Sequence, residues 1–187
     1  MVTIPGEIIA LLTFPGVIVH ELAHQIFCLL MKVPVIEVKY FRFANPCGYV
    51  VHDATKDPKK NFFISAGPFI VNNILGIIIT FPIMLEYVSF GASSQGGIQA
   101  NVILVINIIM MWIGFSILVH SFPSKQDAKI MVERVMKNPD VSKAAKFFAA
   151  PIIGISYIGS VGGAAWLDFI YAIAVSCVFP LLIVYVF

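Results

Sequence analysis

Long apolar runs separated by short polar segments dominate the chain. Runs of about 20 residues, the length that a helix needs to cross a bilayer, lie near Ile4 to Met31, Phe62 to Val88 and Ile98 to Phe122. The remainder, Phe147 to Phe187, is long enough for two more crossings, with a glycine-rich turn before Trp166. The pattern predicts an all-α multi-pass membrane protein with about five transmembrane helices.

The polar connection between the first two runs has a different period. Apolar and polar residues alternate from Ile36 to Phe41, which is typical of a strand. Asn45-Pro46-Cys47-Gly48 then supplies turn-forming residues before Tyr49-Val50-Val51, so a small β-hairpin is expected between the first and second helices. A later polar stretch, Asp127 to Met136, predicts a short surface helix.

Composition agrees with a membrane location. Hydrophobic residues make up 59% of the 187 residues and charged residues only 12%, and the mean hydropathy is +0.94. Because no soluble module is indicated, residues 1–187 are expected to form one membrane-embedded domain. The net charge of +2 and the absence of a basic stripe interleaved with aromatic residues exclude nucleic acid as an expected partner.

The basic residues indicate an orientation. All 12 of them fall in two segments, Lys32 to Lys60 and Lys125 to Lys146, and the positive-inside rule places both in the cytoplasm of a cell-membrane protein. Segments 89–100 and 160–165 carry no Lys or Arg and are expected to be extracytoplasmic. With five spans, the N-terminus would lie outside and Phe187 inside.

Two kinds of processing are not expected. The first residues contain no Lys or Arg, which argues against a cleaved signal peptide. The cysteines Cys28, Cys47 and Cys177 form no C-x-x-C pair and no even set, so no disulfide framework is implied. Nothing in the sequence determines the oligomeric state.

The first apolar run contains His20-Glu21-Leu22-Ala23-His24. His20 and His24 are one helical turn apart and can direct ring nitrogens at one ion. Glu21, about 100° around the helix, can reach water at that ion. Ionisable groups at membrane depth cost at least ~2.5 kcal/mol each and persist mainly where they serve a function. The motif predicts one Zn²⁺ per chain, with Glu21 as the general acid/base.

A zinc site of this kind needs a third protein ligand. The candidates from the rest of the chain are His52, Asp53, Asp57, His120 and Asp127. Asp127 is favoured because it follows the third apolar run at the same cytoplasmic end as His24, and because Pro123 would interrupt the helix and let the chain turn back. His120 is the second choice, either as a ligand or as a residue that orients Asp127 or the substrate. Cys28, on the same face one turn past His24, is expected to serve packing.

These residues resemble the site-2-protease family of intramembrane zinc metalloproteases. The resemblance covers about residues 4–130, the expected catalytic core, and leaves 147–187 as accessory helices. It rests on the His20 to His24 motif, on Ser65-Ala66-Gly67-Pro68 with Asn72 and Asn73 behind it, and on Asp127. Two departures are that Ala128 stands where the family usually has Gly after the Asp, and that the spacing from Gly67 to Asn72 is one residue longer than usual.

The resemblance implies an activity and several roles. His20, His24 and Asp127 would hold zinc, Glu21 would be the general acid/base, and Asn72 would position the substrate or stabilise the oxyanion. The substrates would be transmembrane proteins cut in or near the bilayer, and the hairpin would receive an unwound segment as an added strand. Helix irregularities are expected at Pro15-Gly16 and Gly67-Pro68 near the site.

A second class of function stays open at this point. The chain could bind metal in the membrane without proteolysis, either as an ion transporter or as an inactive scaffold. A transporter needs ligands on several helices along a path, and the later spans offer only Asp168, near a helix end. The sequence therefore favours the protease.

Overall fold

The computed structural model describes residues 6–90, 98–162 and 166–186, and most of them are helical. The helices are α1 (Gly6–Leu12), α2 (Phe14–Leu30), α3 (Pro58–Phe90), α4 (Ile98–Val119), α5 (Lys125–Met131), α6 (Lys143–Gly162), α7 (Leu167–Ile173) and α8 (Phe179–Val186). One π-helical segment, Val132–Met136, continues α5, and another, Ala174–Val178, joins α7 to α8. Two strands, β1 (Val35–Lys39) and β2 (Tyr49–His52), complete the described structure.

Within these residues, three helical segments are long and apolar enough to cross a membrane: Pro58–Ser89, Asn101–Val119 and Leu167–Val186. A fourth is obtained if α1 and α2, which meet at a bend of 91°, count as one broken span. The multi-pass helical architecture therefore agrees with the sequence prediction, whereas the count of about five does not. The sequence prediction counted a crossing in the region of α6, but α6 is not among these segments.

Helices α3 and α4 form the central pair. Gly76 of α3 and Gly114 of α4 let the two backbones approach closely, because a Cβ atom at Gly76 would lie 2.5 Å from Cγ of Leu118 and one at Gly114 would lie 2.6 Å from Cγ2 of Thr80. Small residues at helix crossings are the usual device for packing in lipid, where no hydrophobic force drives helices together.

The last described span packs along this pair. Tyr171 of α7 donates a hydrogen bond to the side-chain oxygen of Asn73 on α3, and Ala172 is buried with Leu118 at the end of α4. Further along, the rings of Phe81 and Phe179 lie 6.0 Å apart. The segment from α7 to α8 therefore runs parallel to α3, away from the hairpin.

Helix α2 is held against α4 at the bend that separates it from α1. The bend follows from Pro15, which lacks the N–H that would continue the hydrogen bonds of α1. Side chains of α4 donate to two carbonyls at this bend. Nε1 of Trp112 donates to the oxygen of Leu12 at 2.9 Å. Oγ of Ser116 donates to the oxygen of Thr13 at 2.7 Å, which also accepts from the N–H of Gly16 at 3.1 Å. The irregularity expected at Pro15-Gly16 is confirmed.

At Gly67-Pro68, α3 continues as one helix, but Pro68 lacks the N–H that would bond to the carbonyl of Ile64. Gly67 also has a packing role, because its missing Cβ leaves room for the ring of Phe27, whose Cδ2 would be only 2.3 Å away. This close contact fixes α3 against α2, which carries the His-Glu-x-x-His motif.

Helices α5 and α6 lie across one end of the bundle. Met131, Val135, Ala149 and Ile153 form a buried cluster with Ala66 of α3. The stretch predicted as a surface helix is thus partly buried. Towards the end of α6, Gly159 contacts the ring of Phe122, which follows α4.

The two strands pair antiparallel, from Val35 opposite His52 to Lys39 opposite Tyr49, and confirm the predicted hairpin. The hairpin follows α2 directly, and backbone hydrogen bonds cap the C-terminal end of α2. Val33 N–H bonds to the carbonyl of Cys28 at 2.9 Å while Lys32 takes a left-handed conformation with φ 53°. Cys28 is buried with Val33 and Ile64, which confirms its packing role.

Gly16 should be irreplaceable in the contact between α2 and α4. A Cβ at this position would lie 2.0 Å from the backbone oxygen of Ser116, which cannot move without displacing α4. We expect Gly16→Ala to cost about 1–3 kcal/mol, measured as a lower midpoint of thermal unfolding in detergent. Gly154→Ala on α6 is the matched control, because nothing lies within 4 Å of its Cβ position. Equal stability of the two variants would contradict this packing.

Candidate metal centre

Helix α2 buries the three polar residues of the His-Glu-x-x-His motif. His20, Glu21 and His24 are 9%, 9% and 8% exposed, although all three can carry charge. The rings of His20 and His24 stand one above the other, with centroids 5.0 Å apart. A helix turn separates the two residues, so the same face of α2 carries both rings.

Backbone carbonyls from two other helices orient the rings. Nδ1 of His20 bonds to the carbonyl of His120, just past the end of α4, at 2.8 Å, and Nδ1 of His24 bonds to that of Ile64 on α3 at 2.9 Å. A carbonyl can only accept, so each Nδ1 carries the proton and each Nε2 is left with its lone pair. This is the arrangement that metal-binding histidines usually have.

Asp127 lies next to these rings because of the way α5 begins. Ser124 is the N-cap of α5: its hydroxyl accepts from the N–H of Asp127 at 3.1 Å and donates to Oδ2 of Asp127 at 2.5 Å. The cap fixes the carboxylate at the helix start. Oδ2 then stands 3.6 Å from Nε2 of His24. Asp127 is thus the third residue of α5, in its first turn, and Ser124 is the N-cap.

The donor set fits zinc in chemistry. Two ligands held about 2.0 Å from one tetrahedral ion are about 3.3 Å apart, close to the 3.6 Å between His24 and Asp127. Across residues 6–90, 98–162 and 166–186, however, no three His, Cys, Asp or Glu side chains already form a metal-binding group. His24 and Asp127 therefore supply a matched pair, and the His20 ring must approach it to complete three ligands.

Glu21 and His20 open into a cavity of about 310 Å³. The turn of the hairpin forms one wall and the segments around α5, α6 and α7 form another; these residues include Cys47, Gly48, Ser124, Lys125, Ser160 and Asp168. Gly48 touches the acid itself, since a Cβ there would lie 2.6 Å from Cγ of Glu21. The hairpin turn thus limits the positions that the Glu21 carboxylate can take.

His120 is placed to brace the centre. The hydroxyl of Thr13 gives its proton to the carbonyl of Ile9 at 2.6 Å, so it accepts from Nε2 of His120, 2.8 Å away. That nitrogen is a donor and is not available to a metal. The ring therefore ties the end of α4 to the bend between α1 and α2.

The other residues named from the sequence lie elsewhere. Asn72 is fully buried between α3 and α4. Nδ1 of His52 bonds to the carbonyl of Asp53 at the end of β2, 2.9 Å away. Asp57 caps α3, with Oδ1 accepting from the N–H of Lys59 at 2.8 Å.

Four contributors escaped the sequence reasoning. Thr13 and Ser116 brace the bend, Gly48 borders Glu21, and Ser124 fixes Asp127. Of these, only Ser124 had a local signal, because a Ser three residues before an acid is typical of a helix start. The other three act through contacts between residues far apart in the chain.

Comparisons with protein-family models, curated proteins and solved structures give no match for this chain. The likeness to site-2 proteases consequently rests on the residues themselves.

We expect purified protein to bind about one Zn²⁺, and both His24→Ala and Asp127→Ala to weaken binding by more than the roughly 10–100-fold that follows loss of an outer partner of a ligand. Competition with a chromophoric chelator measures the affinity. Ser124→Ala is the matched control, because it removes the cap but keeps the carboxylate. It should cost about 1 kcal/mol of stability and a smaller part of the affinity.

His120→Ala completes this test. The substitution keeps the backbone carbonyl that orients His20 and removes only the ring. A loss of zinc in His120→Ala with none in Asp127→Ala would reject Asp127 as the third ligand.

Proposed function

We propose that this chain is an intramembrane zinc metalloprotease of the site-2-protease type, which hydrolyses peptide bonds in or near transmembrane segments of other membrane proteins. One observation carries the proposal: His20 and His24 have their Nδ1 atoms bonded to backbone carbonyls, a carboxylate lies 3.6 Å from His24, and Glu21 lines the same cavity as His20. These are the donors and the acid/base that a zinc hydrolase needs.

Each residue then has a defined task. His20, His24 and Asp127 would hold the ion, which supplies polarisation of water and of the scissile carbonyl when bound. Glu21 takes the proton from the attacking water and later gives it to the leaving amine. The contact of Gly48 with the Glu21 side chain restricts the carboxylate to the cavity side of α2. There it would reach both the attacking water and the leaving amine.

The cavity provides what hydrolysis in a bilayer lacks. Lys125 and Asp168 line it together with the hydroxyls of Ser124 and Ser160, so water can occupy it. A transmembrane substrate hides its carbonyls in helical hydrogen bonds and must unwind before attack. If the segment unwinds in this cavity, its exposed backbone groups can be hydrated or can form hydrogen bonds with the residues that line the cavity.

A metal-binding membrane protein without proteolysis is the alternative. Such a protein would need the histidines and Asp127 but would have no use for Glu21 as a proton carrier. The position of Glu21, buried and open to the cavity beside His20, favours the protease. Glu21 is accordingly the residue on which the two functions differ.

Glu21→Gln should keep zinc and lose activity. The amide has the size of the carboxylate but cannot accept the water proton, so cleavage of a transmembrane reporter should fall by roughly 10²- to 10⁴-fold. The measurement is reporter cleavage in proteoliposomes, with zinc content determined on the same sample. Undiminished cleavage would exclude Glu21 as the base, and zinc binding by a wild type without any cleavage would favour the alternative.

Gly48→Ala should slow cleavage without removing zinc. The added methyl would lie 3.0 Å from Oε1 of Glu21, so either the carboxylate or the hairpin turn must shift. Because misplacement by about 1 Å costs roughly 10²-fold in rate, kcat for the reporter should fall by about that factor. Gly154→Ala, on the open face of α6, serves as the control and should retain full activity. A fully active Gly48→Ala would show that the turn leaves Glu21 free.

A further inference from the structure

Asn72 makes an unusual pair of hydrogen bonds. The side chain is on α3 and has no solvent exposure. Its Nδ2 donates to the carbonyl of Ile117 at 3.2 Å and to that of His120 at 2.8 Å. Since both partners can only accept, the amide nitrogen must be the atom that faces them.

These two carbonyls lie where α4 ends. The last turn of a helix leaves carbonyls without partners in the helix, and in an apolar interior each such group is costly unless another donor reaches it. Asn72 supplies both donors from the neighbouring helix. It therefore determines where the final turn of α4 and the His120 peptide lie relative to α3.

One of the two carbonyls also orients the candidate ligand His20. The oxygen of His120 accepts from Nδ1 of His20 at 2.8 Å and from Nδ2 of Asn72 at 2.8 Å, one donor for each lone pair. If Asn72 were lost, the peptide would keep a single partner and could rotate with the chain that follows. The ring of His20 would lose its fixed direction.

We infer that Asn72 is a positioning residue for His20, acting through the His120 carbonyl, and that it is not a group that touches substrate. The inference rests on the proposed zinc-binding function of His20. A substrate or oxyanion role would need a free amide hydrogen in the cavity, yet both hydrogens are used on α4, and Asn72 does not belong to the described residues that line the cavity.

The remaining oxygen of Asn72 makes a clean test possible. Oδ1 is buried and has no hydrogen-bond partner in the described part of the chain, so it already carries a desolvation cost. Asn72→Leu keeps the branch at Cγ and removes the donors together with this unpaired acceptor. The variant should fold, because the lost hydrogen bonds are offset in part by removal of the unpaired oxygen.

The adjacent Asn73 is a matched control. It is also an amide on α3, but its Nδ2 donates to the carbonyl of Phe69 on its own helix at 2.6 Å. Its side-chain oxygen accepts from the hydroxyl of Tyr171. Neither bond reaches α4. Asn73→Leu should therefore lower stability without changing the metal centre.

The experiment uses the full chain in detergent or nanodiscs and titrates Zn²⁺ against a chromophoric chelator. Asn72→Leu should lower zinc affinity by roughly 10–100-fold, as expected for loss of a partner that orients a ligand, while Asn73→Leu keeps the wild-type value. Unchanged affinity in folded Asn72→Leu would overturn the inference. A raised KM for the reporter at that unchanged affinity would indicate a substrate contact instead.

A second readout does not depend on zinc. Nitrogen NMR of the metal-free protein reports the tautomer of His20, and the proton should sit on Nδ1 in the wild type and in Asn73→Leu but be shared between the nitrogens in Asn72→Leu. The same Nδ1 tautomer in all three proteins would overturn the positioning role. A wild type that binds no zinc would instead defeat the proposed function, so the two failures are distinguishable. Should Asn72→Leu not fold, Asn72→Ala replaces it in both measurements.

Discussion

The carbonyl oxygen of His120 joins three helices at one atom. It belongs to the residue after α4 and accepts from His20 on α2 and from Asn72 on α3. The side chain of Asn72 has no solvent exposure, so separating α3 from the end of α4 would leave buried polar groups unpaired. The relative positions of α2, α3 and α4 follow from this joint, and with them the direction of the His20 ring.

The same constraint explains the bend before α2. Pro15 ends the hydrogen bonding of α1, and the carbonyls of Leu12 and Thr13 at the bend accept from Trp112 and Ser116 of α4. Helix α4 thus braces α2 twice, at the bend through these side chains and one to two turns later through the carbonyl of His120. Between the two braces Gly16 lets the backbones touch. These contacts with α4 oppose rotation of the motif-bearing segment about its own axis.

Local patterns predicted the parts of the centre that are local. The spacing of His20, Glu21 and His24 sets their common face, and the turn-forming residues around Pro46 predicted the hairpin. Pro123 predicted that the chain would turn back before Asp127, and Oδ2 of Asp127 does lie 3.6 Å from His24. The task of Asn72 could not be predicted in this way, because it depends on which carbonyls of α4 face α3. Periodicity carries no information on such contacts between helices.

Helix α6 shows why run length overestimated the number of crossings. Its apolar residues divide between a face buried on α5 and α3, through Ala149 and Ile153, and an exposed start at Phe147 and Phe148, which are 75% and 77% exposed. Ser160 near its end lines the cavity beside Ser124 and Lys125, so the end of α6 lies near the second basic segment. If that basic segment is cytoplasmic, as the positive-inside rule predicts, then α7 and α8, which run parallel to α3, would carry the chain outward. The last described residues would lie opposite the side expected from five spans.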